Sequence, residues 1–108
     1  MGTRKQYLQQ KKCKRNRTKQ PGCYGIFWED VCLYVGESVD IPTRINAHRY
    51  FMNHPEKSIE QHYLYIQLYQ YDNRVEFRVL EETLDHQQRE KYHIDFNQPL
   101  YNTYKTNV

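Results

Sequence analysis
From Cys23 onward the chain alternates between short apolar runs and polar breaks, and the spacing of the apolar positions separates strands from helices. Cys23 to Trp28 and Cys32 to Gly36 are rich in aromatic and branched residues, which predicts two strands. Glu29-Asp30 lacks the glycine that a two-residue primed turn prefers, so a three-residue loop from Glu29 to Val31 is expected. Trp28 then faces Cys32, Ile26 faces Tyr34 and Tyr24 faces Gly36, which puts both tyrosines on one side of the hairpin. A slip of one residue would part them. Gly36, with no side chain, is expected to leave room beside Tyr24 for a substrate.

Asp40 as N-cap and Pro42 in the first turn predict a helix running to about Met52, with Arg44 and His48 one turn apart on a single face. His54-Pro55 ends it. Ser58-Ile59-Glu60-Gln61 is a capping box, predicted to open a second helix to about Tyr71. Its Tyr63, Ile66, Tyr69 and Leu64, Leu68 stripes are assigned to the core, and His62 to the surface. Arg74 to Leu80 alternates, with Val75, Phe77 and Val79 on one face, and predicts a third strand. Thr83 or Asp85 starts a last helix to about Phe96 that sets Glu90 and Ile94 one turn apart, and Asn97-Gln98-Pro99 stops it. The order strand, strand, helix, helix, strand, helix implies an α/β fold, a small sandwich whose three-stranded, mainly antiparallel sheet is flanked by helices.

A chain of 108 residues has room for one compact domain. Charge divides it unevenly. Eight of the 16 Lys and Arg residues (Arg4, Lys5, Lys11, Lys12, Lys14, Arg15, Arg17, Lys19) fall within residues 1–20, which carry no acid. The other eight face 13 acidic residues in 21–108, so a basic arm precedes an acidic body. The arm is expected to be disordered or loosely helical and to track nucleic-acid phosphates, with Pro21-Gly22 marking its boundary with the domain. Three cysteines without a CxxC pair argue for a reducing compartment and no structural zinc. No apolar stretch of signal-peptide or membrane-span length is present, so a cytoplasmic protein that does not enter membranes is expected.

Two phenols, a guanidinium and an imidazole gathered within Tyr24, Tyr34, Arg44 and His48 are hard to explain as packing alone. Tyr24 lies in Gly22-Cys23-Tyr24 and Tyr34 in Tyr34-Val35-Gly36, ten residues apart, with Arg44 ten residues further on. This pattern resembles the GIY-YIG nuclease superfamily, and the resemblance runs from about Gly22 to Asn102. Cys23 and Val35 replace the usual isoleucines, each keeping a small apolar strand residue. Arg44 matches the arginine of the family's first helix, and His48 the histidine or tyrosine that follows it. Glu90, in Arg89-Glu90-Lys91-Tyr92-His93-Ile94, matches the metal-binding glutamate, and Pro99-Leu100-Tyr101-Asn102 the terminal motif that places Asn102. One departure is Glu37, an extra carboxylate after the second tripeptide that would either repel a phosphate or help hold a cation.

The resemblance implies a DNA endonuclease with one Mg²⁺ or Mn²⁺ per site, bound through Glu90. A single carboxylate suffices for Mg²⁺, which fills its shell with waters and phosphate oxygens and acts as a Lewis acid. Arg44 would bind a phosphate oxygen and offset its growing charge. One tyrosine would activate the water and the other orient the phosphate. Tyr24 is the favoured base, although a phenol near pKa ~10 needs a cation such as Arg44 beside it to act at neutral pH. His48 would share in proton transfer or hold the phosphate, with Gly36 and Asn102 in support. All five side chains, Tyr24, Tyr34, Arg44, His48 and Glu90, are expected on one open concave surface. With no room for a separate DNA-binding domain, targeting would fall to a homodimer, a partner or DNA shape. The competing reading is a catalytically silent module of the same fold that binds nucleic acid or a partner. The chain has no GxSxG elbow, P-loop or HExxH motif, and a Cys23–His48 thiol pair is disfavoured because strand cysteines mostly pack as core.

Overall fold
A computed structural model of the chain describes residues 18–71 and 74–102. Arg4, Lys5, Lys11, Lys12, Lys14, Arg15 and Arg17 therefore lie outside the described residues, while Lys19 is within them and exposed. The elements are β1 (Gly22–Trp28), β2 (Val31–Ser38), α1 (Ile41–Asn53), a single 3₁₀ turn (Pro55–Lys57), α2 (His62–Tyr69), β3 (Glu76–Glu82) and α3 (His86–Asn97). The expected α/β order is the observed one. β1 runs down the middle of a three-stranded sheet, antiparallel to β2 on one side and to β3 on the other.

Strand alternation sends successive β1 side chains to opposite faces. Tyr24 and Ile26 join Leu33, Tyr34, Ile41, Met52, Leu64, Tyr65 and Leu68 in the larger core, beneath α1 and α2. Phe27 joins Cys32 and Val35 in a smaller one, packed against Leu80 of β3 and Ile94 of α3. Helices thus cover both faces. Among the described residues no helix is long and apolar enough to cross a membrane.

The hairpin departs from expectation at its tip. Tyr24 faces Gly36 and Ile26 faces Tyr34 as the pattern required, but Trp28 faces Val31 and Phe27 faces Cys32. Glu29 takes the left-handed φ of 54° that a tight turn needs, so Glu29-Asp30 closes the hairpin alone. The residue saved in the loop reappears as a bulge that leaves Leu33 without a partner on β1. Because the bulge sits between the tip and Tyr34, both tyrosines keep their face.

The second helix is shorter than its capping box suggested. Ser58 Oγ does accept the Gln61 N–H at 3.2 Å, but the bond holds a turn, and regular helix begins only at His62. Leu64, Tyr65 and Leu68 face the core, whereas Tyr63, Ile66 and Tyr69 are about half exposed or more. Period alone could not choose between the two stripes. The third strand runs two residues later than expected and carries a bulge at Leu80; Phe77 and Val79 share a face in register with Ile26 and Tyr24, but only Phe77 packs against the core and Val79 is exposed. Asp85 caps α3 by position. Asp40 sits at the N-cap of α1, but its carboxylate accepts the Gln20 N–H at 3.1 Å and the Thr43 hydroxyl at 2.6 Å instead of a helix amide. Ile41 in turn donates to the Gln20 carbonyl at 2.8 Å, so the tie between arm and domain begins at Gln20, one residue before the expected boundary.

The C-terminal segment covers the outer edge of β2. Gln98 ends α3 in a left-handed conformation, after which Leu100 and Tyr101 donate to the carbonyls of Cys32 and Leu33 at 3.1 and 2.9 Å. Asn102, 3% exposed, then accepts the Val35 N–H through Oδ1 at 2.8 Å and donates through Nδ2 to the Val35 carbonyl at 2.9 Å. Its amide acts as a strand partner for the residue between Tyr34 and Gly36. Asn102→Ala strips both buried Val35 groups of their partners, and urea unfolding is expected to show a loss of about 2–4 kcal/mol. A loss under about 1 kcal/mol would mean that water replaces the amide.

Candidate active site
Four of the five expected residues meet on the face covered by α1 and α2. The Tyr24 hydroxyl lies 2.6 Å from His48 Nε2, and His48 Nδ1 lies 2.6 Å from the Tyr65 hydroxyl. Arg44 Nη2 donates to Gln61 Oε1 at 2.6 Å, and its charge acts on the Tyr24 phenol. Gln61 Nε2 donates to the Tyr34 hydroxyl at 2.9 Å. The Tyr24 and Tyr34 rings stand 6.5 Å apart, each within 6 Å of the His48 ring. Among the described residues, no buried side-chain nitrogen or oxygen lacks a hydrogen-bond partner.

Gly36 makes this arrangement possible in an unexpected way. A Cβ there would fall 2.5 Å from the Tyr24 hydroxyl oxygen and 2.6 Å from its Cζ. The space expected for a substrate is filled by the phenol of Tyr24 itself. Nor is the surface open at its centre, since Tyr24, Tyr34 and His48 are 1%, 2% and 0% exposed. The opening lies at Arg44, which is half-buried and lines a cleft of about 300 Å³ with Lys57, Ser58 and Gln61.

Two members of the network, Gln61 and Tyr65, are not among the expected site residues, Gln61 figuring only in the capping box. They sit one turn apart at the start of α2, and Tyr65 shares the buried face with Leu64 and Leu68. Pairing the tyrosine beside Leu64 with Leu68 three residues later would have found it. His62 is exposed, with Nδ1 donating to the Pro55 carbonyl at 2.9 Å.

Glu90 stands apart. It lies on α3, across the sheet from His48, and its charge acts on Cys23, whose side chain points away from the Tyr24 side. Glu37 and Glu81 act on the same thiol. Glu37 is bound to His86 Nδ1 at 2.5 Å, and Glu81 to Arg89 and His93 at 2.8 and 2.9 Å. No group of three His, Cys, Asp or Glu able to hold a metal occurs among the described residues. Glu90 fits Mg²⁺ as a hard oxygen ligand, on the face of the sheet opposite Arg44.

The electrostatics reverse one expectation. Burial pushes the Tyr24 phenol well above its ordinary value, Tyr34 adds to the rise, and Arg44 opposes it without prevailing. Tyr24 is therefore a neutral phenol whose hydrogen bond to His48 offers a path for its proton. Burial also works against the charge on Arg44, but the neighbouring Tyr24, Tyr65 and Tyr34 outweigh it and hold the guanidinium charged. Burial, followed by Glu90, Glu81 and Glu37, raises Cys23 to about 11, leaving it a poor nucleophile on the wrong face for His48.

Burial also raises Cys32 to about 11, and the bond with Tyr71 leads in raising Tyr101 to about 12. With Cys23 and Tyr24, these groups hold their protons more tightly folded than unfolded. Above the ordinary thiol value of 9.0 and phenol value of 10.0 the unfolded chain loses protons first, so stability falls. Urea unfolding is expected to show full stability below about pH 9 and progressive loss through about pH 9–12, with Tyr24→Phe flattening the part above pH ~10. A profile level up to pH ~11 would contradict the burial of these groups.

Comparison with known proteins finds no matching family model, no similar curated protein and no similar solved structure.

Proposed function
We propose that the protein is a metal-dependent endonuclease that hydrolyses DNA phosphodiester bonds, with Arg44 holding the phosphate and Tyr24 activating the water. The observation that carries this reading is the position of Arg44, whose guanidinium lines a solvent-open cleft while its charge acts on a tyrosine already bonded to a histidine. An arginine brings five N–H donors in a planar fork, so it can hold Gln61 and still present donors to a phosphate in the cleft. Lys57 and Ser58 in the same cleft add a cation and a hydroxyl, and Glu60 a carboxylate, so Arg44 and Lys57 leave the lining with one net positive charge.

In the proposed reaction a water oxygen bonds to phosphorus and the phosphorus–O3′ bond breaks, its electron pair leaving with the 3′ oxygen. The water's proton goes to the Tyr24 oxygen as the phenol proton passes to His48 Nε2. A proton returned to the 3′ oxygen closes the balance and yields an alcohol and a phosphate monoester. Charge grows on the non-bridging oxygens in this transition state, and Arg44 offsets it. Tyr34, held by Gln61, orients the phosphate. Glu90 is the protein ligand for Mg²⁺ or Mn²⁺, which when bound supplies Lewis-acid stabilisation. The Lys and Arg residues of the arm draw DNA to an otherwise acidic body.

The near-complete burial of Tyr24, Tyr34 and His48, with Glu90 across the sheet, favours a second reading in which the same fold binds nucleic acid or a partner without cleaving. Incubating supercoiled plasmid with the protein, with and without Mg²⁺, decides between them. Nicking or linearisation that requires the metal is expected, and DNA binding with no cleavage selects the silent module. Arg44→Ala is expected to lower turnover about 10²–10³-fold, and Glu90→Ala to remove the metal dependence, with the fold retained in both. Wild-type turnover in either variant would take that residue out of the mechanism.

Removing residues 2–17 leaves intact the bonds that Gln20 makes to α1. The truncated protein is expected to fold, to bind DNA more weakly at low salt, and to lose about 0.9 from the slope of log K against log salt for each phosphate contact removed. An unchanged affinity and slope would reduce the arm to a solubilising tail.

A further inference from the structure
The network around His48 has one consistent polarity, and Arg44 sets it. A guanidinium only donates. The Gln61 atom 2.6 Å from Arg44 is therefore the carbonyl Oε1, and the amide nitrogen faces Tyr34, as the 2.9 Å contact has it. Gln61 Oε1 can only accept, so the Tyr65 hydroxyl donates to it, the Tyr65 oxygen receives from His48 Nδ1, and His48 Nε2 accepts the Tyr24 hydrogen at 2.6 Å. An Nε2 that accepts carries no hydrogen. The neutral imidazole then holds its proton on Nδ1 and donates it to the Tyr65 oxygen, also at 2.6 Å. Tyr65 passes its hydrogen to Gln61 Oε1, a longer contact of 3.4 Å, which returns the chain to the acceptor that Arg44 fixed. Reversing any bond in this circuit would set two donors or two acceptors against each other.

We infer that Tyr65 and Gln61 are positioning residues that hold His48 in its Nδ1–H tautomer, keeping Nε2 as the acceptor for the Tyr24 proton. The inference deepens the endonuclease reading above and rests on it for its kinetic consequence, though the tautomer itself does not. The physical logic is that of any catalytic imidazole whose far nitrogen is held by a third group: the orienting bond chooses which nitrogen carries the proton. Here the third group is a phenol instead of a carboxylate. It fixes the tautomer without placing a negative charge beside Tyr24, in a site whose phenols are buried. α2 thereby acts on the chemistry through two residues one turn apart. A purely structural role for Tyr65 would need the ring in place and some hydrogen bond at His48, but would be indifferent to which imidazole nitrogen is protonated.

The test is ¹⁵N NMR of the histidine rings in the full chain, with the His48 signals assigned by their loss in His48→Gln. The wild-type ring is expected as Nδ1–H. Tyr65→Phe keeps the ring and removes the acceptor, and is expected to shift His48 toward Nε2–H. Gln61→Leu removes the acceptor for Tyr65 and should mix the tautomers, whereas Gln61→Glu retains an acceptor and should keep Nδ1–H. A wild-type ring protonated on Nε2, or a tautomer unchanged in both Tyr65→Phe and Gln61→Leu, overturns the inference. Should Tyr65→Phe not fold, the wild-type tautomer and the two Gln61 variants still decide it. In plasmid cleavage, Tyr65→Phe is expected to lower kcat about 10-fold or more with KM within about 2-fold, and a change confined to KM would overturn the positioning role. If the wild-type protein cleaves no DNA, the endonuclease reading fails by itself, and the ring spectra still report whether α2 sets the tautomer.

Discussion
The hydrogen bond between Tyr24 and His48 is the constraint to which much of the larger core answers. Both groups are buried, and a buried hydroxyl or imidazole without a partner would cost about 1–3 kcal/mol. Meeting that demand requires β1 to present Tyr24 toward α1, α1 to present His48 toward the sheet, and position 36 to carry no side chain. Each polar atom added to satisfy one neighbour brings in the next, from His48 to Tyr65, to Gln61, and on to Tyr34 and Arg44. The chain of partners ends at Arg44, where the cleft admits water. A network of this kind rigidifies a core when complete and is costly when partial.

The two faces of the sheet are chemically unlike. Beneath α1 and α2 lie phenols, an imidazole and a charged guanidinium, while beneath α3 the carboxylates Glu37, Glu81 and Glu90 surround a protonated thiol. His86, Arg89 and His93 engage two of those carboxylates and hold α3 against β2 and β3. Glu37, the residue that departs from the GIY-YIG pattern, belongs to this second face through His86, so its charge is turned away from the cleft at Arg44. The sheet between the faces is a single layer, and Tyr24 and Cys23 are adjacent residues of β1 that look in opposite directions.

Much of the architecture was legible along the chain because burial is periodic. The two tyrosines share a face because Tyr24 pairs with Gly36 and Ile26 with Tyr34, a register that buries Tyr24, Ile26 and Tyr34 together whichever way the tip turns. Arg44 and His48 are neighbours because four residues make about one helical turn. Pro42 and Pro99, with the capping candidates before α1 and α3, bracket those helices from sequence. What the chain could not reveal is which of two apolar stripes on a short helix turns inward. α2 offered Tyr63, Ile66 and Tyr69 against Leu64, Tyr65 and Leu68, and the choice was made by His48 Nδ1, which lies 17 residues earlier and needs a partner. Gln61 enters for the same reason. The bulges at Leu33 and Leu80 and the side of the sheet taken by α3 were likewise settled by packing between distant elements. Local periodicity fixed the order and faces of the elements, because it depends only on near neighbours. The make-up of the polar network was left to the tertiary structure, because a buried hydrogen bond takes its partner from wherever the chain brings one.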